Sequence, residues 1–111
     1  MSLPVTITDQ LDSYRARTVV GTIGPLTGNY TTGGVTVDFV DAGLEAQLAP
    51  LSFFVEPLAG YPLIGVIGAD ATSCLLQGFS AANTELTNAA PWPTGLLNAS
   101  AHFRAIFYKN L

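Results

Sequence analysis

Apolar side chains recur at every second position through most of this chain, and a period of two is typical of β-strands with one buried face. The pattern covers Val35–Phe39 and Leu51–Glu56, and it returns over Ala101–Tyr108. Other apolar or β-branched runs of strand length are Thr18–Ile23, Leu63–Ile67 and Cys74–Phe79. The chain is therefore predicted to be built from strands rather than from helices.

Glycine and proline pairs separate these runs, as in Gly24-Pro25 and Gly33-Gly34, and such pairs mark turns. Seven or eight short strands within 111 residues predict an all-β domain, a small antiparallel β-sandwich or jelly-roll-like fold. The predicted domain spans 15–111. Residues 1–14 are predicted to form either an N-terminal arm that pairs with a neighbour or the first strand of the same sandwich.

Two segments carry narrower predictions. Leu63–Ile67 is apolar on both faces, which favours a central position in a sheet or contact with a neighbouring molecule. Asp41–Leu48 could form one helical turn capped by Asp41, although Gly43 weakens it.

Charged residues make up 11% of the chain, whereas an ordinary soluble domain has about 25%. Because 49% of the residues are hydrophobic, part of the surface is predicted to be covered by copies of the chain or by a larger partner. Four Lys+Arg residues and a net charge of −4 argue against a nucleic-acid partner. The longest apolar run, Tyr61–Ala69, is far shorter than the roughly 20 residues of a membrane span, so no membrane partner is expected.

Residues that could carry chemistry are few and isolated. Cys74 is the only cysteine, which rules out an intrachain disulfide and a cysteine zinc site, and it is predicted to be buried. His102 is the only histidine and has no local nucleophile or orienting carboxylate, so it is predicted to be an exposed or interface residue. Asp38, Asp41 and Glu45 are predicted to serve turns and caps rather than a calcium ion. No catalytic residue, metal or cofactor is predicted.

The only tryptophan lies between two prolines, Pro91 and Pro93, in a segment that is predicted to be an extended loop. Trp92 could close the open end of the sandwich, or it could anchor a contact with another protein, because tryptophan is enriched at interface hot spots.

Several segments follow one another in a recognisable order. Arg17–Ile23 has the pattern V-x-G-T-hydrophobic, Gly28–Val37 contains Y-x-T-G-G, and Val55–Tyr61 leads into a G-Y-hydrophobic strand. Ala101–Tyr108 is a terminal hydrophobic-R-hydrophobic strand, with the loop Thr84–Thr87 before it. In this order and pattern, the segments resemble the small head-decoration, or cement, proteins of tailed bacteriophages.

The resemblance implies a non-catalytic virion protein that bridges major capsid protein subunits on the outer capsid surface. It also implies self-association, with a homotrimer favoured over a homodimer. The N-terminal residues lack the basic and apolar regions of a signal peptide, so synthesis in the host cytoplasm without secretion is expected. The candidate interface residues are Val5, Ile7, Tyr14, Arg15, Arg17, Tyr30 and Trp92.

A tail, baseplate or fibre module is the alternative function. Such a module would bind other virion proteins, or it would use exposed aromatic residues to bind host glycans. Its candidate residues are Tyr30, Tyr61 and Trp92.

Overall fold

The structure is a computed structural model that describes residues 3–44, 48–80 and 82–108. Within these ranges the chain contains seven β-strands and no helix. The strands are β1 (Val5–Asp12), β2 (Ala16–Ile23), β3 (Val35–Val37), β4 (Ser52–Val55), β5 (Leu63–Val66), β6 (Cys74–Gly78) and β7 (Ala101–Tyr108). All strand pairs are antiparallel, which confirms the predicted β-sandwich class.

The strands form two sheets, one with the order β1-β2-β7-β4 and one with the order β3-β6-β5. β1 pairs with β2 of the same chain from Val5 to Asp12, so the described part of residues 1–14 contains a strand of the four-stranded sheet. The register shifts between Ile7 and Asp9, where Thr8 forms an irregularity. β1 is an edge strand, and pairing of a neighbour with its outer edge remains a prediction.

Phe39 lies at the centre of the core between the sheets. Its ring centroid is 5.2 Å from that of Phe53, 5.4 Å from Phe103 and 5.3 Å from Phe107. The three partners point inward from β4 and β7, whereas Phe39 follows β3 in a turn that is held by a hydrogen bond from its amide to Ala71 O. Edge-to-face rings of this kind contribute beyond the apolar area they bury, and here they join the two sheets.

β5 lies at the edge of its sheet, so the predicted central position of Leu63–Ile67 is wrong. Leu63 is buried, but Ile64 and Ile67 are exposed. The strand passes close to β4 at Gly65, where a Cβ atom would lie 2.6 Å from the Phe53 ring and 2.8 Å from Phe53 O. One apolar face of this run therefore packs on the core, and the other is exposed at the surface. Contact of the exposed face with a neighbour remains a prediction.

Two long loops, residues 24–34 and 82–100, close one end of the sandwich, and we call them the end cap. They are joined by backbone hydrogen bonds from Leu26 N to Ala99 O and from Tyr30 N to Ala90 O, both of 2.8 Å. Leu26, Tyr30, Trp92 and Leu96 are buried between them. The end cap thus has an apolar centre of its own at the end where β2 finishes and β7 begins.

The predicted helical turn at Asp41–Leu48 falls partly on residues 45–47, which lie outside the described residues. Residues 39–43 form a turn in which the Asp38 carboxylate accepts hydrogen bonds from the amides of Val40 and Asp41, each of 3.0 Å. Asp38, rather than the predicted Asp41, therefore caps this turn.

Candidate interaction surface

One face of the four-stranded sheet packs on the core, and the other is open to solvent. Along β7, Ala101, Phe103, Ala105 and Phe107 are buried, and the residues between them point away from the core. The open face is formed by these outward residues and by their neighbours in register. Its members are Thr6, Asp9, Leu11, Ala16, Thr18, Val20, Thr22, Ser52, Phe54, Glu56, His102, Arg104, Ile106 and Tyr108.

The open face carries large apolar side chains that are exposed to solvent. Leu11 is 71% exposed, Phe54 is 52% exposed and Tyr108 is 54% exposed. They lie among polar residues, such as Asp9 on β1 and His102 on β7. Polar residues normally occupy such a face in a half-buried antiparallel sheet, so the exposed aromatic and aliphatic side chains indicate an interaction surface.

A shallow groove of about 380 Å³ lies in this face. Thr8, Val20 and Phe54 contribute to its walls, together with Glu56, His102 and Arg104. The irregularity in β1 helps to shape the groove, because it turns the Thr8 hydroxyl towards β2, where it donates a hydrogen bond of 3.2 Å to Val20 O.

The groove carries charges of both signs. Arg104 stands opposite Phe54 in the register of β7 and β4, and Glu56 follows β4, where its amide donates a hydrogen bond of 3.0 Å to His102 O. Among the described residues, the Arg104 guanidinium and the Glu56 carboxylate make no ion pair or side-chain hydrogen bond. Both charged groups can therefore bind a partner without breaking a side-chain contact among the described residues.

Two of the predicted interface residues are buried instead of being on the surface. Tyr30 is 1% exposed and Trp92 is 2% exposed, and their rings meet edge to face at a centroid distance of 5.3 Å. Trp92 Nε1 donates a hydrogen bond of 3.2 Å to Thr27 O. Trp92 thus closes the end of the sandwich, and neither side chain is available to a partner.

The Tyr30 hydroxyl joins the end cap to β6. It donates a hydrogen bond of 2.6 Å to Glu85 Oε2 and accepts one of 3.2 Å from Gly78 N. Glu85 Oε2 also accepts a hydrogen bond of 2.7 Å from Gly33 N. Burial, and then the bond to Glu85, raise the pKa of Tyr30 to about 12. The bond from Tyr30, and then the one from Gly33, lower the pKa of Glu85.

The other predicted interface residues belong to the β1–β2 hairpin. Tyr14 and Arg15 form its turn and are exposed, with the Arg15 guanidinium 5.2 Å from the centre of the Tyr14 ring. Arg17 makes an ion pair of 2.9 Å with Asp12. Val5 and Ile7 are half-buried against the core, so only part of each side chain is exposed.

The residues considered for catalysis are not brought together. Cys74 is fully buried in β6, and burial raises the pKa of its thiol, whereas His102 points outward on the opposite side of the four-stranded sheet. Within the described ranges, no group of three or more His, Cys, Asp and Glu side chains could hold a metal ion.

Phe54 and Glu56 were missed as surface candidates. The signal in the sequence was an aromatic residue, Phe54, at one of the positions over Leu51–Glu56 that alternate with the buried ones. A residue at such a position is normally polar when that face of the strand is in contact with water alone.

No protein-family model, curated protein or solved structure matches this chain. Among the described residues, no helix has the length and apolar character needed to cross a bilayer.

Proposed function

We propose that this chain is a non-catalytic virion protein that decorates and stabilises the outside of a bacteriophage capsid by bridging subunits of the major capsid protein. The observation that carries the proposal is the open face, where Phe54, Tyr108 and Leu11 are each more than half exposed. The resemblance in segment order is the reason for proposing that this surface is used on a capsid.

The physical case rests on what the apolar surface gains when it is covered. Burial of apolar area contributes about 25 cal/mol per Å², and few charges have to be desolvated because charged residues make up only 11% of the chain. One such contact is weak. A capsid repeats the contact over many subunits, and an oligomer that docks at several points gains avidity from effective concentration.

The alternative, a tail or fibre module that binds glycans, loses most of its residues. Its candidate aromatic residues were Tyr30, Tyr61 and Trp92, but Tyr30 and Trp92 lie in the core and Tyr61 is half-buried. A tail location with protein partners stays open as an outcome of the experiment.

The test is the composition of purified particles of the phage that encodes the chain. Quantitative mass spectrometry of intact particles, of heads and of tails should find the chain in heads, in a fixed ratio to the major capsid protein. When heads are first stripped of the chain and the purified protein is then added back, the ratio should be restored. The temperature at which these heads release DNA should then be higher than that of the stripped heads. Absence from particles, or presence in tails alone, would overturn the proposal.

A further inference from the structure

The three-stranded sheet has an outer face of its own, on the side of the sandwich opposite to the open face. Residues of β3, β5 and β6 that alternate with those facing the core point outward, and the register places them side by side. We call them the small-sheet face, and its members are Thr36, Ile64, Val66, Leu75 and Gln77. Ile64 is 48% exposed, and Ile67, which follows β5, is 44% exposed. The centre of this face is therefore apolar.

The charge of the chain is unevenly distributed between the two sheets. No lysine or arginine occurs between Arg17 and Arg104, and all three strands of the small sheet lie in that segment. The same segment contains six of the eight Asp+Glu residues. The small sheet and its connecting loops therefore carry carboxylates without a lysine or arginine of their own.

Three carboxylates border the small-sheet face. Asp38 follows β3 and Asp70 lies in the turn before β6, so both are at one end of the sheet. Glu85 lies at the other end, where its Oε2 accepts the hydrogen bond from Gly33 N. The Gln77 side chain donates a hydrogen bond of 3.0 Å to Gly33 O, which places Glu85 next to the face.

All three carboxylates accept hydrogen bonds from uncharged donors. Asp38 is bonded by backbone amides, and Glu85 by an amide and the Tyr30 hydroxyl. Asp70 is bonded by the Thr72 amide at 2.8 Å and the Thr72 hydroxyl at 2.6 Å, and these bonds lower its pKa. Among the described residues, no lysine or arginine pairs with any of the three. The border of the face is therefore a fixed negative charge that the described chain does not neutralise.

We propose that the small-sheet face is a second docking surface, and that it binds a protein surface with an apolar centre and a border of lysine or arginine side chains. The inference rests on the proposed function, because a protein that bridges two subunits needs two contacts and the open face provides one. The outer faces of two packed sheets point in opposite directions, so they can hold different neighbours. An apolar centre with a polar border is also the usual anatomy of a protein interface.

Charge selects the partner. A basic border would meet Asp38, Asp70 and Glu85 with opposite charge, whereas an acidic border would meet them with like charge, which weakens binding. A second copy placed on this face by a two-fold axis would bring the same carboxylates together. It also has few cations to offer, since Arg17 is already paired with Asp12. A basic surface of another protein therefore fits this face best.

Opposite charges at one exposed position test both the surface and the sign of its partner. Ile64→Lys and Ile64→Glu remove the same apolar side chain, but only the lysine opposes a basic partner. We expect Ile64→Lys to bind stripped heads at least tenfold more weakly than Ile64→Glu, measured by co-sedimentation of labelled protein with heads. In 1 M salt, where the screening length is about 3 Å, the difference between the two variants should become small.

Leu97→Lys and Leu97→Glu are the matched controls, because Leu97 is an exposed apolar residue of the end cap. Both should bind heads within twofold of the wild type. Near-ultraviolet circular dichroism should show that all four variants are folded, and sedimentation velocity should show that the Ile64 variants keep the mass of the wild type.

Equal binding by the two Ile64 variants at low salt would overturn the inference. Weaker binding by Ile64→Glu than by Ile64→Lys would also overturn it, since that result indicates an acidic partner. A loss of self-association in the Ile64 variants would show that a second copy occupies the face instead. In each of these cases the wild type still binds heads, so the proposed function stands. A wild-type protein that does not bind heads would overturn the proposed function, and the inference with it.

Discussion

Tyr30 is the residue that connects the end cap to the rest of the sandwich. Its hydroxyl lies between Glu85 in the second loop of the cap and the backbone of Gly78 at the end of β6. A buried amide that loses its acceptor costs about 1–3 kcal/mol. We therefore expect Tyr30→Phe to lower the free energy of unfolding by about that amount.

The same contacts predict how stability depends on pH. The lowered pKa of Glu85 makes its contribution full above the ordinary value of 4.5, and the contribution is lost as the pH falls through the folded-state pKa. The raised pKa of Tyr30 makes its contribution full below the ordinary value of 10.0, and this is lost as the pH rises towards 12.

Urea unfolding from pH 3 to 11 measures both losses. Tyr30→Phe should remove the alkaline loss of this residue and reduce the acid loss, because Glu85 no longer accepts its bond. Tyr61→Phe is the control, since no described side-chain hydrogen bond involves its hydroxyl. Equal pH profiles for the wild type and Tyr30→Phe would contradict the prediction.

The surroundings of Tyr30 and Trp92 could not be predicted from the sequence. The hydrogen-bond partner of Tyr30 is 55 residues away, and that of Trp92 is 65 residues away. A local pattern such as Pro-Trp-Pro predicts a loop, but it does not show whether the loop folds back on the domain. Cys74, in contrast, was predicted to be buried because the run around it has strand character, and it is buried.

At the scale of elements, alternation located the strands well because it is a local property of the backbone. The last strand has the predicted bounds, Ala101–Tyr108, and β6 differs from its prediction by one residue. The order of the strands was not predictable, since it depends on pairing between distant segments. This is why Leu63–Ile67 was expected in the middle of a sheet and lies at an edge.

The approach of β5 to β4 predicts a sensitive position at Gly65. A methyl group there would overlap the Phe53 ring and the Phe53 carbonyl oxygen. Because inserted atoms force a packed core to shift, Gly65→Ala should lower the free energy of unfolding by about 1–3 kcal/mol. Gly60→Ala is a control for a different cause, because Gly60 has open space around it but a positive φ of 84°.

Urea titration of both variants provides the measurement. In a Phe53→Ala background, Gly65→Ala should cost less than it does in the wild type, because the ring atoms Cγ and Cδ2 that the methyl group would overlap are gone. An equal cost of Gly65→Ala in the two backgrounds would show that the clash with the ring is not the cause.

In the proposed function, the turn of the β1–β2 hairpin is another candidate contact with the capsid, beside the open face. Tyr14 and Arg15 are residue types that are enriched at interface hot spots, and both lie in its turn. In the proposed function, the double variant Tyr14→Ala/Arg15→Ala should bind stripped heads at least tenfold more weakly while its sedimentation is unchanged. Leu97→Ala, an exposed position in the end cap, should bind normally. Equal binding by all three proteins would exclude the hairpin from the contact.

At the scale of the whole molecule, association should contribute to stability. The resemblance implies that copies of the chain associate, and an oligomer in which only folded chains associate has a melting temperature that rises with protein concentration. We expect a clear rise between 5 and 500 µM. Differential scanning fluorimetry at several concentrations measures this, and a melting temperature that does not change with concentration would contradict it.

The end cap also has a consequence for the kinetics of the molecule. Tyr30 and Glu85 can meet only after a loop of more than fifty residues has closed, so their contact belongs to the costly, long-range part of the folding reaction. Contacts of this kind form after the rate-limiting step when the strands provide the nucleus, and their loss then accelerates unfolding more than it slows folding. Stopped-flow chevron plots of Tyr30→Phe should show the change mainly in the unfolding limb. The end cap would then set the lifetime of the native state, a property on which the proposed function on a long-lived particle would depend.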